Sequence, residues 1–311
     1  MPDFHALASS LTFPNTNVVV IGGTQSIGAG IAIRFAELGA SVLIVGRNRT
    51  SGNEMVKKLK NTSSNNGWDR DGVRFEFARR DLSSVEEIKG AAQDIVMWAG
   101  KVGVQYLFQS QGGASSGILT ATVEAVKGAF NVQILSHFLI PYLLMSLPEP
   151  VLGKDAQICN IARPGEMNRN IDFDDFLSLK AIETGTFSIL RDVMKFVFMM
   201  DLFTQEFNVR FPDTHTTHVN PGPVVSSGMD HPTVPWWVRV VFRVLQPIIA
   251  CSPAQYADIV LWEIASEEAK SMNRTFWDRY GREVVVDKRV NNDAQFRERV
   301  WEKLLQLGEV I

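Results

Sequence analysis

Two cysteines in 311 residues, Cys159 and Cys251, are too few for a disulfide scaffold and lack metal-ligand spacing, which makes a reducing compartment the simplest setting. Positive charge is not in excess either. The chain has 31 Lys and Arg against 34 Asp and Glu, a formal charge of −3. With no basic stripe interleaved with aromatics, a nucleic-acid partner is not expected. No Pro/Gly/Ser linker, repeat or low-complexity tract divides the sequence, so residues 1–311 are expected to form a single domain, although the length would allow two. The N-terminal MPDFHALASS carries Asp3 and no long apolar run, so a cleaved secretory signal is not expected and the cytoplasm is the expected location. His215 and His218 lie on a loop and strand without nearby thiols or a carboxylate cluster, and no metal site is expected. Tyrosine is scarce: Tyr106, Tyr142, Tyr256 and Tyr280 are all there are.

What is present centres on Asn17 to Asn48, which reads as strand, glycine turn, helix and strand. Val18 to Ile21 is an apolar β-branched run, short enough for a strand buried on both faces. The turn that follows, Gly22 to Gly28, spells GGTQSIG and includes Thr24, Ser26 and Ile27. Glycine suits it because the chain must turn sharply and bring bare N–H groups of a helix N-terminus close to a phosphate pair. Apolar residues then recur at helical spacing through Ile31, Ile33, Phe35 and Leu38. Gly39 ends the helix, and Ser41 to Val45 is a second strand. Glycines between a buried strand and a helix, inside one βαβ length, point to a dinucleotide site.

These residues resemble the short-chain dehydrogenase/reductase family, whose glycine motif is TGxxxGxG. Ile21 stands at the Thr, Gly22 at the first Gly, Ser26 at the second and Gly28 at the third. The resemblance implies an α/β fold, a Rossmann-type doubly wound parallel sheet in three layers, with a helical substrate lid at about 226–252. Where NAD-preferring members carry an acid after the second strand, this chain has Gly46-Arg47, with Arg49 nearby. An arginine there can pair with a 2′-phosphate, which points to NADP(H); the alternative is a solvated loop cation.

Further along, 61–72 (NTSSNNGWDRDG) reads as a surface loop before a third strand at Val73 to Phe77. Asp81-Leu82 follows. The family's acid here lies against the adenine, while the simpler reading is that Asp81 caps the helix beginning near Ser83 and Ser84. After the strand Val104 to Phe108, QSQGG stands where the family has NNAG, keeping Gly112 and offering Gln109 and Ser110 as polar replacements. The helix at about Ala125 to Leu144 places Gln133 where the family has a catalytic Asn. His137 lies one turn further on the same face, a catalytic candidate or a structural histidine. The strand Ala156 to Ile161 ends in Ala162-Arg163, where the family has Ser-Ser.

An insertion of the kind seen in the retinol-dehydrogenase-like and fungal branches precedes the family's YxxxK position. Phe176 with Lys180 and Phe187 with Arg191 are two possible registers. The second is preferred for its separation from Pro221-Gly222, and no tyrosine fits either. The strand Thr216 to Val219 leads into Pro221, Gly222, Val224 and Ser226, matching the family's PGxVxT beside the nicotinamide. Residues 235–250 (PWWVRVVFRVLQPIIA) are too short for a membrane span. As a lid they imply an apolar small-molecule substrate, polycyclic or terpenoid in character; the competing reading is an amphipathic helix in peripheral membrane contact. Ser252-Pro253 starts what reads as the last large helix, and the apolar helix Asp192 to Phe207 is expected to form a homodimer seam.

A missing tyrosine matters because a positioned proton donor typically contributes about 10²–10⁴ in rate. Gln133, Arg163, Phe187 and Arg191 replace the Asn, Ser, Tyr and Lys that the resemblance would require. Three functions stay open: an NADP(H)-dependent oxidoreductase of specialised metabolism with another proton source; a redox-neutral isomerase, cyclase or dehydratase in which Arg163, alone or with Arg191, stabilises an oxyanion; or a binding protein without catalysis.

Overall fold

The computed structural model describes residues 2–68, 72–112, 121–225, 236 and 250–311. Most of the expected lid, with Ser226, lies outside the described residues. Seven parallel strands form one sheet in the order β3-β2-β1-β4-β5-β6-β7: β1 Asn17–Ile21, β2 Ser41–Gly46, β3 Phe75–Arg79, β4 Tyr106–Gln109, β5 Gln157–Ile161, β6 His215–Asn220 and β7 Phe276–Asp278. The order reverses between β1 and β4, and there the carboxyl ends of the strands open a crevice. Every residue of β1 and β5 is buried, which fits a sheet covered on both faces.

One face carries α1 (Phe4–Ser9), α2 (Ser26–Glu37), α3 (Arg49–Asn65), α9 (Pro253–Ala265) and α10 (Glu267–Met272), whose core includes Val20, Phe35, Phe108 and Trp262. The other carries α4 (Val85–Ala99), α5 (Val123–Phe130), α6 (Ser136–Met145), α8 (Met194–Arg210), α11 (Lys288–Asn292) and α12 (Ala294–Leu307), around Leu107, Phe138, Phe203 and Trp301. A short α7 (Leu179–Glu183) lies in the insertion. The result is the doubly wound, three-layer α/β architecture expected from the sequence.

Several local expectations give way. Residues 61–65 continue α3 rather than forming a loop, because Leu59 and Ser63 are buried on its inner face. The helix begun by Val123 is broken at Asn131–Leu135 by a π-turn, a second π-turn at Ile189–Val193 precedes α8, and Thr122 rather than a residue near Ala125 caps the start. Ser84, not Asp81, caps α4: the Ser84 hydroxyl accepts from Glu87 N–H, while Asp81 accepts from Ser83 N–H in a local turn. Ser252 and Gln255 form a reciprocal capping box at α9, but α12 is the last large helix.

The expected dimer seam is also occupied. Helix α12 lays Trp301, 2% exposed, among the rings of Phe138, Tyr142, Phe207 and Phe211, at centroid distances of 4.8, 5.9, 4.8 and 6.4 Å. Buried Arg297 pairs with Glu206 at 2.8 Å, and the Arg210 guanidinium covers the Trp301 ring. The apolar side of α8 is therefore closed by the chain's own C-terminal helix. By length and composition Val123–Met145 could cross a membrane, but most of its apolar residues are buried inside this fold.

Candidate active site

A cleft of about 390 Å³ lies over the β1/β4 switch point. Its near wall is the glycine turn. Gly22 has φ +81°, and a Cβ there would stand 2.9 Å from Gln111 N and Ser110 Oγ; one on Gly28 would stand 2.5 Å from Gly22 O. Close approach of three chain segments thus requires both glycines. Ser26 is left-handed at φ +50°, a conformation that costs a side-chain-bearing residue about 1–2 kcal/mol and that glycine adopts freely. Gln25, the N-cap of α2, makes no side-chain capping bond, which leaves the helix N-terminus as a ready anion-binding feature.

At one end of the cleft lie Gly46, Arg47, Arg80, Asp81 and Leu82. Arg80 is held by both oxygens of Asp94 at 2.7 and 3.0 Å, with Glu87 beyond, and these carboxylates raise its pKa further. At the other end lie Gln111, Gly112, Val132, Gln133, Ile134, His137, Ala162, Val197, Met200 and Pro221. Gln133 sits in the π-turn, an irregularity that helices often carry at working positions. His137 is 1% exposed, with Nδ1 3.2 Å from Gln111 Nε2 and Nε2 3.3 Å from the Gln109 carbonyl. Burial pushes its pKa down to about 3, so the ring is neutral at ordinary pH.

The fold gathers Gly22, Thr24, Ser26, Ile27, Gly28, Arg47, Asp81, Leu82, Gly112, Gln133, His137 and Pro221 around this cleft. Other candidates sit elsewhere. Gln109 is fully buried beneath it, donating to His137 O and Asn160 Oδ1. Gly222, at φ +60°, packs under the Arg279 side chain, and Val224 is buried beside Cys251. The Arg163 side chain is 69% exposed and is not among the residues lining the cleft, its Nε 3.9 Å from Glu166 Oε1. Phe187 packs against the core, and Arg191 turns outward to Asp192 and Thr186 O. Phe176 is buried against Phe130 and Phe173, and Lys180 lies on α7. Instead, α8 presents Val197 and Met200 to the cleft. Ser110, offered as a polar replacement, also lines the cleft, together with Gln111, Arg80, Ala162, Val197 and Met200, which sequence reasoning did not assign. QSQGG pointed at Ser110 and Gln111; nothing in α8, where apolar residues recur without helical periodicity, distinguishes Val197 and Met200. Among the described residues, no group of three His, Cys, Asp or Glu could hold a metal.

The short chain dehydrogenase family model matches residues 16–166. Polyprenol dehydrogenase of Homo sapiens is 22% identical over 308 residues, covering 96% of this chain and 86% of that protein. Oxidoreductase calI of Penicillium decumbens is 21% identical, covering 91% and 80%. Among solved structures, L-sorbose reductase from Gluconobacter frateurii, complexed with NADPH and L-sorbose, superposes with a TM-score of 0.60 at 18% identity, covering 89% and 97%.

Proposed function

This chain belongs to the short-chain dehydrogenase/reductase family of oxidoreductases, and on that premise we propose that it binds NADP(H) in the switch-point cleft and acts on an apolar small molecule in specialised metabolism. The observation that carries the reading is the turn at the N-terminus of α2, where Gly22 and Gly28 leave no room for a Cβ. Gly22, Thr24, Ser26, Ile27 and Gly28 would hold the pyrophosphate. Asp81 and Leu82 would border the adenine, and Gly112 and Pro221 the nicotinamide end. When bound, the cofactor supplies or accepts a hydride. Arg47 supports NADP(H) over NAD(H), because it lines the cleft just after β2.

Among the described residues lining the cleft, those at the reacting end offer that hydride chemistry no ordinary proton donor. His137 is neutral, Gln111 and Gln133 are amides, and Ala162, Val197 and Met200 are apolar. Solvent or the substrate itself would then supply the proton. The same observation favours a second reading, in which a redox-neutral isomerase, cyclase or dehydratase uses Arg163 as a cation beside the site; a binding protein without turnover is the limiting case. The apolar lining and the lid segment support an apolar ligand, and two free cysteines suit the cytoplasm. A homodimer would have to use a face other than the one α12 covers.

Calorimetric titration with NADPH and then NADH tests the cofactor assignment. Binding of NADPH alone supports it, and cofactor absorbance during turnover separates hydride transfer from redox-neutral use. Failure to bind either nucleotide would remove the oxidoreductase reading.

A further inference from the structure

Asp201 is a fully buried aspartate in a helix whose neighbouring positions are Met199, Met200, Leu202 and Phe203. Burying a carboxylate is expensive unless its oxygens are satisfied, and an apolar residue at such a position would pack with less penalty. Both oxygens are committed. Oδ1 lies 2.7 Å from Nδ1 of His218, itself fully buried on β6, and Oδ2 accepts the Gly165 N–H at 3.0 Å. Burial raises the Asp201 pKa, opposed by the imidazole and the Gly165 N–H.

Gly165 belongs to the turn leaving β5, between Ala162 in the cleft wall and Glu166. Its φ is +95°, and a Cβ there would stand 2.8 Å from Val284 Cγ1, so the turn is clamped on its far side as well. Glu166, nearly buried, reaches Arg169 at 2.7 Å and Arg163 at 3.9 Å. On the sheet, His218 pairs in register with Asn160 on β5 and Phe276 on β7. The Asp201 carboxylate thus ties α8, β6 and the turn bearing Arg163 to one point.

We propose that Asp201, backed by His218, is a positioning residue for the reacting end of the cleft, holding residues 163–166 through the Gly165 N–H and so setting where Arg163 stands. The functional part rests on the cleft being the active site; the positioning itself does not. If the Asp201 carboxylate were lost, Gly165 would retain a part-buried donor without that partner, and the turn would move to hydrate it.

The test is amide hydrogen exchange on the full-length protein, read by mass spectrometry over residues 162–170, with NADPH titration in parallel. Asp201→Leu should raise exchange at Gly165 at least tenfold while leaving the rest of α8 and β6 slow. Asp201→Asn, whose amide oxygen can still accept, should restore protection to within about threefold of the wild type, and NADPH affinity should stay within about twofold in both. If Asp201→Leu does not fold, Asp201→Ser, too short to reach Gly165, takes its place with the same expectation. Unchanged exchange at Gly165, or a uniform rise through α8 and β6 that Asn does not rescue, overturns the proposal. A wild type that binds no NADPH would sink the cofactor reading and leave the exchange result to decide the positioning alone.

Discussion

Gln111 and His137 fix each other's hydrogen-bonding state in the lining of the cleft. A backbone carbonyl only accepts, so the 3.3 Å contact with Gln109 O places the His137 proton on Nε2 and leaves Nδ1 to accept from Gln111 Nε2. The Ser136 hydroxyl donates to Val132 O and therefore also accepts from Gln111, which orients the amide without ambiguity. One residue of the rebuilt QSQGG motif is thereby tied to the helix that carries Gln133.

His137 should hold its neutral form far into acid. Its folded pKa, about 3, lies below the ordinary 6.5, so below pH 6.5 the unfolded chain takes up a proton that the folded chain refuses. Its contribution to stability should therefore decline as pH falls from 6.5 toward 3, by about 1.4 kcal/mol per pH unit, and level off below. Urea unfolding of the wild type and His137→Gln across this range isolates the effect. Parallel pH dependences would show that the ring is not held neutral.

Arg47→Ala should weaken NADPH binding by about 10–100-fold, the range for a lost charge-assisted hydrogen bond, with little change for NADH. Calorimetry on both nucleotides reads the difference. Equal losses would mean that the guanidinium does not face a 2′-phosphate.

Arg163→Ala should leave stability within about 0.5 kcal/mol of the wild type, because the side chain is 69% exposed. If its charge stabilises an oxygen anion at the reacting end, turnover should fall by about 10²-fold or more at unchanged NADPH affinity. Unaltered turnover would take Arg163 out of the mechanism.

Trp301→Ala should destabilise the fold by about 3–5 kcal/mol, since the indole is buried among four aromatic rings. Chemical denaturation measures this. A loss below about 1 kcal/mol would mean that α12 is not seated on α6 and α8 as described.

The dinucleotide half was legible because its signals are local. Asn17 to Asn48 carries a strand-length apolar run, a turn with glycine where the chain folds most tightly and a helix with a clear stop, each decided within a few residues. The reacting end was not. Counting along the chain offers Phe176/Lys180 or Phe187/Arg191 for the family's YxxxK position. Which residues of α8 reach the cleft depends instead on a π-turn at Ile189–Val193 and on how the helix is rotated against β5 and β6. Since α8 buries polar as well as apolar residues, no periodicity marks the side toward the site.

The sequence by itself determined the doubly wound sheet, the glycine turn between β1 and α2 and the scarcity of tyrosine that bars the family's usual acid, because composition and short-range spacing suffice for these. Only the tertiary structure decided that Val197 and Met200 face the cleft, that Arg191 faces away, that α12 covers the expected dimer seam, and that Asp201 meets both His218 and Gly165. Those relationships join residues far apart in the chain, and they are fixed by side-chain packing and by the satisfaction of buried polar groups, neither of which leaves a local pattern to read.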